Sequence, residues 1–574
     1  VTGVFDMPTV TDAFNIPLRN YLSGTARATG AALLKPAGDE PRDAFQVNIA
    51  SDLVGLQSDL PYPLNKAVMD DEALNLQLAF PAAGVINLGG QLERGIDWQL
   101  QLSAAEQGWN VDRGVINRDT STAQLPAEPG ILVTGYIDEL RFEDWLALEI
   151  TAPGDVTSGD SSARWQDAFR LADLRVDDFY ALGFRFTDVG AQIRFEPEQW
   201  NIGLTGPWLE GTVRVPYELA ADTPVLLDMQ RLLLIEPETG TGGQEEGTEV
   251  DPRELPAVRA EIADFAIDTL RLGQLSADIA KVPDGLQSRR IETTAPSFTT
   301  SSSADWLVVD SAQRSRLRFE LASQDVAATW QRLGQEAGIS GESATFNANL
   351  LWEGGPSLGL LYESTGQLDF DIRDGRISNV ETGGGRLIGL FSLASLPRRL
   401  SLDFTDITSE GLEFYSLSGA FRMDFGNAWT CNMGLISEIA DVAMIGRAGL
   451  LDEDYDQLAV VRPHVSSMLP LPAAVFGGPT VGIATLLISQ LFKEPLSDIG
   501  ETYYSISGPW DDPLFERQTR TEIDTAAFAD CEQGLPNLSP EEIAALEEFL
   551  GNEAARMDAL PQTPAVEAEA EPQS

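Results

Sequence analysis

The chain has 574 residues, 43% of them hydrophobic, and a formal net charge of −51 from 89 acidic and 38 basic residues. That length suits about two to four domains. The acidity argues against nucleic acid, whose phosphates need clustered Lys and Arg, and against simple adhesion to anionic lipid head groups; it reads as charge that keeps a secreted or salt-adapted protein soluble.

The opening at Val1 already lies in a strand-like pattern. It shows no initiator Met, basic n-region or apolar h-region, so the chain reads as the C-terminal part of a longer protein. Residues 1–235 then read as strand after strand. Leu74, Leu76, Leu78 and Phe80 alternate with Asn75, Gln77 and Ala79, and Ile96, Trp98, Leu100 and Leu102 alternate with Asp97, Gln99 and Gln101. Phe184, Phe186, Ile193 and Phe195 repeat the pattern against Arg185 and Arg194. This is the period-two signature of strands with one apolar and one wet face. Residues 236–257 form an acidic Gly/Thr/Pro loop with nothing to bury, predicted as an insertion or boundary.

Strands resume at Ala260 and run to about Leu321. Asp325–Gly334 has helical spacing through Val326, Trp330 and Leu333. Alternation returns at Phe346, Ala348 and Leu350 and again at Leu368, Phe370 and Ile372. Gly383–Phe404 (GGGRLIGLFSLASLPRRLSLDF) predicts a short apolar helix over 386–396, with Leu387, Leu390 and Phe391 on it, followed by a strand. Met468–Phe492 carries no charge, but Pro470, Pro472 and Pro479 break its first half. The remaining helix, 480–492, is about 20 Å long against a hydrocarbon core of about 30 Å. It suits an interfacial position or packing on the sheet better than a span, with Leu486, Leu487, Leu491 and Phe492 as membrane-contact candidates. Residues 517–574 read as an acidic tail, helical over Ser539–Met557 and then disordered.

Few residues offer chemistry. His464 is the single histidine, so a His-based metal cluster is out of reach, and no G-x-S-x-G elbow, P-loop or H-E-x-x-H occurs. Gly383-Gly384-Gly385 lacks the Lys-Ser/Thr of a phosphate loop. Acidic pairs such as Asp70-Asp71, Asp177-Asp178 and Asp511-Asp512 are expected in so acidic a chain. No catalytic residue, metal or cofactor is predicted. Cys431 and Cys531 make no framework; they either pair or serve as small buried hydrophobes.

A long sheet with one apolar face must cover it with a second sheet, with helices, or with something other than protein. Periodicity alone leaves a closed β core and an open greasy trough both standing.

Gly55–Lys66 (GLQSDLPYPLNK), Trp200–Pro216 (WNIGLTGPWLEGTVRVP), Asp251–Leu272, Leu351–Pro356 (LWEGGP), Gly383–Phe404, Val460–Leu469 and Gly508–Pro513 (GPWDDP) resemble, in order, the C-terminal half of the YhdP branch of the AsmA-like envelope proteins. The resemblance covers about residues 40–516. It implies a long β-groove, a periplasmic location in a Gram-negative envelope, an inner-membrane anchor upstream, and movement of phospholipids between inner and outer membranes. It also implies that the helical region at Gly385–Leu396 and Thr480–Phe492 meets the outer-membrane side, which adds Leu387, Leu390 and Phe391 to the membrane-contact candidates, and it leaves protein partners unnamed. The acidity, the loop at 236–257 and the tail depart from the family pattern.

The expectation is therefore a mainly β protein: an elongated, twisted antiparallel groove with a few C-terminal helices. Roughly 25 strands at about 4.8 Å each extend on the order of 120 Å. Its segments are 1–235, the loop 236–257, 258–516 and the tail. Trp98, Leu100, Phe184, Phe186, Leu368 and Phe370 are candidate groove-lining residues, although alternation does not say which face lines the groove. The rival readings are a scaffold for outer-membrane assembly with a closed core, and a secreted glycan-binding solenoid, for which no fixed repeat is present.

Overall fold

The computed structural model describes residues 1–13, 19–34, 45–104, 109–118, 123–146, 169–181, 184–217, 223–235, 250–335, 338–356, 360–378, 411–463 and 502–523. The helices predicted at 386–396 and 480–492, His464, Cys531 and the tail from 524 lie outside them. Two compact units divide the chain: Val1–Arg314 with Thr329–Gly334, and Ser315–Ala328 with Gln335–Ser574.

The first unit holds β1 (Thr2–Asp6), β2 (Leu22–Leu34), β3 (Phe45–Ser51), β4 (Leu56–Ser58), β5 (Leu74–Ala82), β6 (Val85–Leu92), β7 (Ile96–Ala104), β8 (Trp109–Arg118) and β9 (Gly130–Arg141). It continues through β10 (Phe169–Ala181), β11 (Phe184–Phe195), β12 (Gln199–Thr205), β13 (Leu209–Pro216), β14 (Val225–Leu234), β15 (Val258–Ile267), β16 (Leu270–Val282), β17 (Gly285–Thr294) and β18 (Phe298–Val309). Apart from β4, which pairs with β2, these strands form one ladder in chain order. At about 4.8 Å per step the ladder runs on the order of 75 Å. Mostly hairpin-linked, it follows the predicted alternation closely.

One expectation is corrected. The sheet is mixed, because β8–β9, β9–β10 and β14–β15 pair in parallel. A parallel pair needs a crossover of about a dozen residues, where a hairpin needs two. The three long connections, between Arg118 and Gly130, Arg141 and Phe169, and Leu234 and Val258, supply it. The acidic loop predicted at 236–257 falls within the third. Alternation within a strand carries no information on the direction of its neighbour, so the parallel pairs were hidden.

A line of irregularities crosses β9, β10, β11, β14, β15 and β16. On each side of it the apolar residues stand three apart instead of two: Ile137 and Leu140, Val176 and Phe179, Phe186 and Val189, Met229 and Leu232, Ile262 and Phe265, Leu272 and Leu275. All twelve belong to or pack on one hydrophobic cluster. The register keeps them in rows, with Val176 opposite Val189 and Phe179 opposite Phe186, and Met229 opposite Ile262 and Leu232 opposite Phe265. Asp188 (φ 55°) and Gly273 (φ 80°) lie on the line in left-handed conformation. The β10–β11 and β14–β15 registers pass through the line unshifted, while β15–β16 shifts there, between Ile262 and Phe265, and a shift of that kind bends a strand and raises its twist. The sheet thus creases while its apolar stripe stays on one face.

The motif Gly55–Lys66 is a structural clip. Lys66, 6% exposed, donates through Nζ to the carbonyls of Leu56 (3.0 Å), Ala67 (3.0 Å) and Asp70 (2.6 Å). Arg94, at the β6–β7 turn, donates to the carbonyls of Pro63 (2.7 Å) and Asn65 (2.9 Å) and pairs with the buried Glu72 carboxylate. Gly55 and Gly24 must be glycine, since a Cβ on Gly24 would lie 2.1 Å from the Gly55 carbonyl oxygen.

The second unit begins within β19 (Ala312–Ser323) and includes β20 (Ile339–Glu353), β21 (Thr365–Ile377), β22 (Leu412–Asp424), β23 (Asn427–Ile436), β24 (Ala440–Gly449), β25 (Asp454–Pro463), β26 (Thr502–Pro509) and β27 (Leu514–Gln518), while helix α1 (Val326–Arg332) is divided between the units after Ala328. The helix expected at 325–334 is α1, whose start is fixed by the Asp325 carboxylate accepting from the Ala328 amide at 2.9 Å. Strands β20 to β27 pair antiparallel in order. Successive residues of β24 and β25, such as Val442, Ala443, Met444 and Ile445, are all at most 5% exposed. Neighbours in a strand point to opposite faces, so this part of the sheet is packed on both.

Cys431 is buried on β23 and held in a disulfide. A maleimide applied to the denatured, unreduced chain is expected to modify no cysteine, and both after reduction. A thiol reactive before reduction would contradict the bond.

Candidate functional site

Trp98 and Leu100 lie on β7, and the ladder register gathers apolar neighbours around them. One row runs Ile49, Leu76, Gly90, Trp98, Ile116 and Val133 across β3 to β9. The adjacent row runs Val47, Leu78, Leu88, Leu100, Gly114 and Ile131. Directly opposed residues share a face, so the two rows form one apolar wall. Of its side chains, Val47, Ile49, Leu76, Leu78, Leu88, Trp98, Leu100, Ile116 and Val133 are all half-buried.

The two glycines shape the wall. A Cβ on Gly90 would stand 2.0 Å from Cζ2 of Trp98, and one on Gly114 would stand 2.4 Å from Cδ2 of Leu100. The indole and the isobutyl group therefore lie down over their neighbours, and the wall has low relief.

The opposite face is polar and partly roofed. Gln101 donates to Asn87 (3.0 Å), Arg113 to Gln101 (3.0 Å), Asn117 to Asp97 (3.3 Å) and Thr134 to Asn117 (3.2 Å). The described end of the β8–β9 crossover lies over this side: the Ala123 amide donates to Asp97 at 2.5 Å and Arg113 to the Pro126 carbonyl at 3.1 Å. Val115, on the same face, is 5% exposed. The connection that parallel pairing demands thus covers the wet face at β7 and β8 and leaves the apolar wall on the other side.

Phe184 and Phe186 belong to the crease. Phe186 is 4% exposed and Phe184 packs against the same cluster; the Phe179 and Phe186 rings are 6.1 Å apart. At that end of the strands the cations are paired. Hydrogen bonding to Glu139 raises the Arg141 pKa, and hydrogen bonding to Asp178 raises that of Arg185. Leu368 and Phe370 sit on β21 in the second unit. Leu368 is half-buried, while Phe370 is 3% exposed and stacks with Phe346 (6.1 Å) and Phe421 (6.2 Å). The membrane-contact candidates Leu387, Leu390, Phe391, Leu486, Leu487, Leu491 and Phe492 lie outside the described residues. Among the described residues no helix is long and apolar enough to cross a membrane, and no group of three His, Cys, Asp or Glu could hold a metal ion.

One structural residue escaped the reading by alternation. Trp208 follows the Gly206-Pro207 turn, and its Nε1 donates to Thr187 Oγ1 at 3.0 Å while its carbonyl accepts from the Leu233 amide at 2.7 Å. A tryptophan directly after a tight turn was the available signal.

The family described as YhdP protein matches residues 1–515, a span that contains the clip, the wall and the crease. The chain belongs to the YhdP family. It is 23% identical over 507 residues to the Intermembrane phospholipid transporter YhdP of Escherichia coli (strain K12), a match covering 83% of this chain and 38% of that protein. The chain thus spans well under half the length of that YhdP relative. No solved structure matches it.

Proposed function

We propose that this chain guides phospholipids between the inner and outer membranes of the cell envelope, with acyl chains resting on the apolar wall of the first unit and no catalytic step. The observation that supports this reading is the half-buried double row around Trp98 and Leu100, in a chain whose relative is named an intermembrane phospholipid transporter. Half-buried apolar side chains in register gain by contact with hydrocarbon, at about 0.8 kcal/mol per buried CH₂. Equivalent apolar positions one strand apart along each row let a tail exchange one contact for the next, and the low relief over Gly90 and Gly114 removes obstacles. A head group remains in water at the edge of the wall. The chain's location is then the periplasm, and its partners are the lipids and the two membranes.

The test is a photo-crosslinking residue at Leu100 and another at Asn75, on the opposite face, followed by mass spectrometry of retained lipid. Phospholipid captured at Leu100 and absent at Asn75 is the expected result. Lipid-free protein, or equal capture at both positions, would overturn the reading.

The second unit carries its own alternative. Strands β24 and β25, buried on both faces, favour a packed scaffold role for that unit. A crosslinker at Phe370 decides between them: capture of lipid there extends the conduit, and silence supports the scaffold.

A further inference from the structure

The polar face of the first unit carries an open cavity of about 680 Å³, within the size range of small-molecule sites. It spans β2 to β7 and is lined by Asn48, Asn75, Gln77, Gln91, Asp97 and Gln99, over a floor that includes Gly89 and Gly90. At about 4.8 Å per ladder step the lining extends roughly 19 Å.

Two facts separate it from the neighbouring polar network. The side-chain amides of Asn48, Asn75, Gln77, Gln91 and Gln99 have no hydrogen-bond partner among the described residues, whereas Asn87, Gln101 and Asn117 beside them are tied to one another's strands. Asp97, the lone charged side chain in the lining, is already satisfied by the Ala123 amide and Asn117. Among the described residues no cation lines the cavity, so phosphate and carboxylate ligands find no counter-charge in that lining. What remains free is a row of neutral amides, each offering two donors and an acceptor oxygen. A ligand that repeats uncharged donor–acceptor groups at short intervals matches that row.

We infer that this cavity binds a neutral oligosaccharide, its hydroxyl or acetamido groups pairing with the amides of Asn75, Gln77, Gln91 and Gln99. The cavity lies on the opposite side of the sheet from Trp98 and Leu100, so occupancy here does not depend on the lipid reading.

Calorimetric titration of the full chain with two neutral hexamers, of glucose and of N-acetylglucosamine, tests it. At least one is expected to bind with a Kd of about 1 mM or tighter. The double substitution Asn75→Ala/Gln77→Ala, at two exposed positions where folding is insensitive, is expected to weaken that binding about tenfold or more. Tyr415→Ala, at an exposed position of the second unit, leaves it unchanged. Absence of binding by both hexamers, affinity untouched by the double substitution, or preference for an extended uncharged peptide over both sugars would overturn the assignment.

Discussion

Replacing Trp208 by Ala is expected to open the first unit below the β12–β13 hairpin, at a cost of about 3 kcal/mol in local stability. The hairpin is short. Strand β12 pairs only with Gly190–Phe195 of β11, so the Phe184–Asp188 half of β11 runs on without that neighbour. Past the hairpin tip β11 and β14 approach each other directly, and Trp208 sits between them, bonded to Thr187 on one and to Leu233 on the other. Its ring also packs on the crease cluster that contains Phe186, Leu209 and Met229. Truncation removes that packing and strands the Thr187 hydroxyl. Trp208→Phe keeps most of the burial and loses the hydrogen bond, about 1 kcal/mol. A chain of two units does not melt as one transition, so the measurement is hydrogen exchange of residues 184–190 and 229–234. Exchange in Trp208→Ala no faster than in the parent would show that the indole is not the element holding β11 to β14.

Lys66→Met is expected to release the clip formed by Gly55–Lys66. Among the described residues no carboxylate pairs with its buried ammonium; its three donors instead meet three carbonyls, which uses every hydrogen the group has. Met restores the volume and leaves those carbonyls unsatisfied. The loss is about 3 kcal/mol, since each charge-assisted bond is worth more than a neutral one while the relief of desolvating an ammonium offsets part of it. Lys66→Arg is not expected to rescue, because a planar fork cannot aim at three carbonyls set around a point. Limited proteolysis between 55 and 70 reads the effect. Cleavage unchanged in Lys66→Met would mean that Arg94, which holds Pro63 and Asn65, secures the loop alone.

Both residues illustrate what alternation reports and what it omits. The rows through Leu76, Trp98 and Leu100 were legible because each strand buries one face, and burial selects residue type at every second position. Lys66 in an otherwise apolar and turn-rich motif carried no such mark. A lysine is ordinarily a wet residue, and its burial depends on carbonyls from Leu56 and Asp70 that only folding brings together. The spacing of three between Val176 and Phe179, or between Ile262 and Phe265, looks like a lost pattern in one dimension. It becomes a continuous stripe once several strands carry the same offset on one line.

By itself the sequence determined the strand-rich class, most strand positions and the apolar residues at Trp98 and Leu100, because side-chain period and turn chemistry are local properties of the chain. Tertiary structure decided the parallel pairings, the crease, and the side of the sheet over which the β8–β9 crossover runs. Those depend on which strand lies beside which, and the free energy of that choice resides in contacts between residues far apart in sequence.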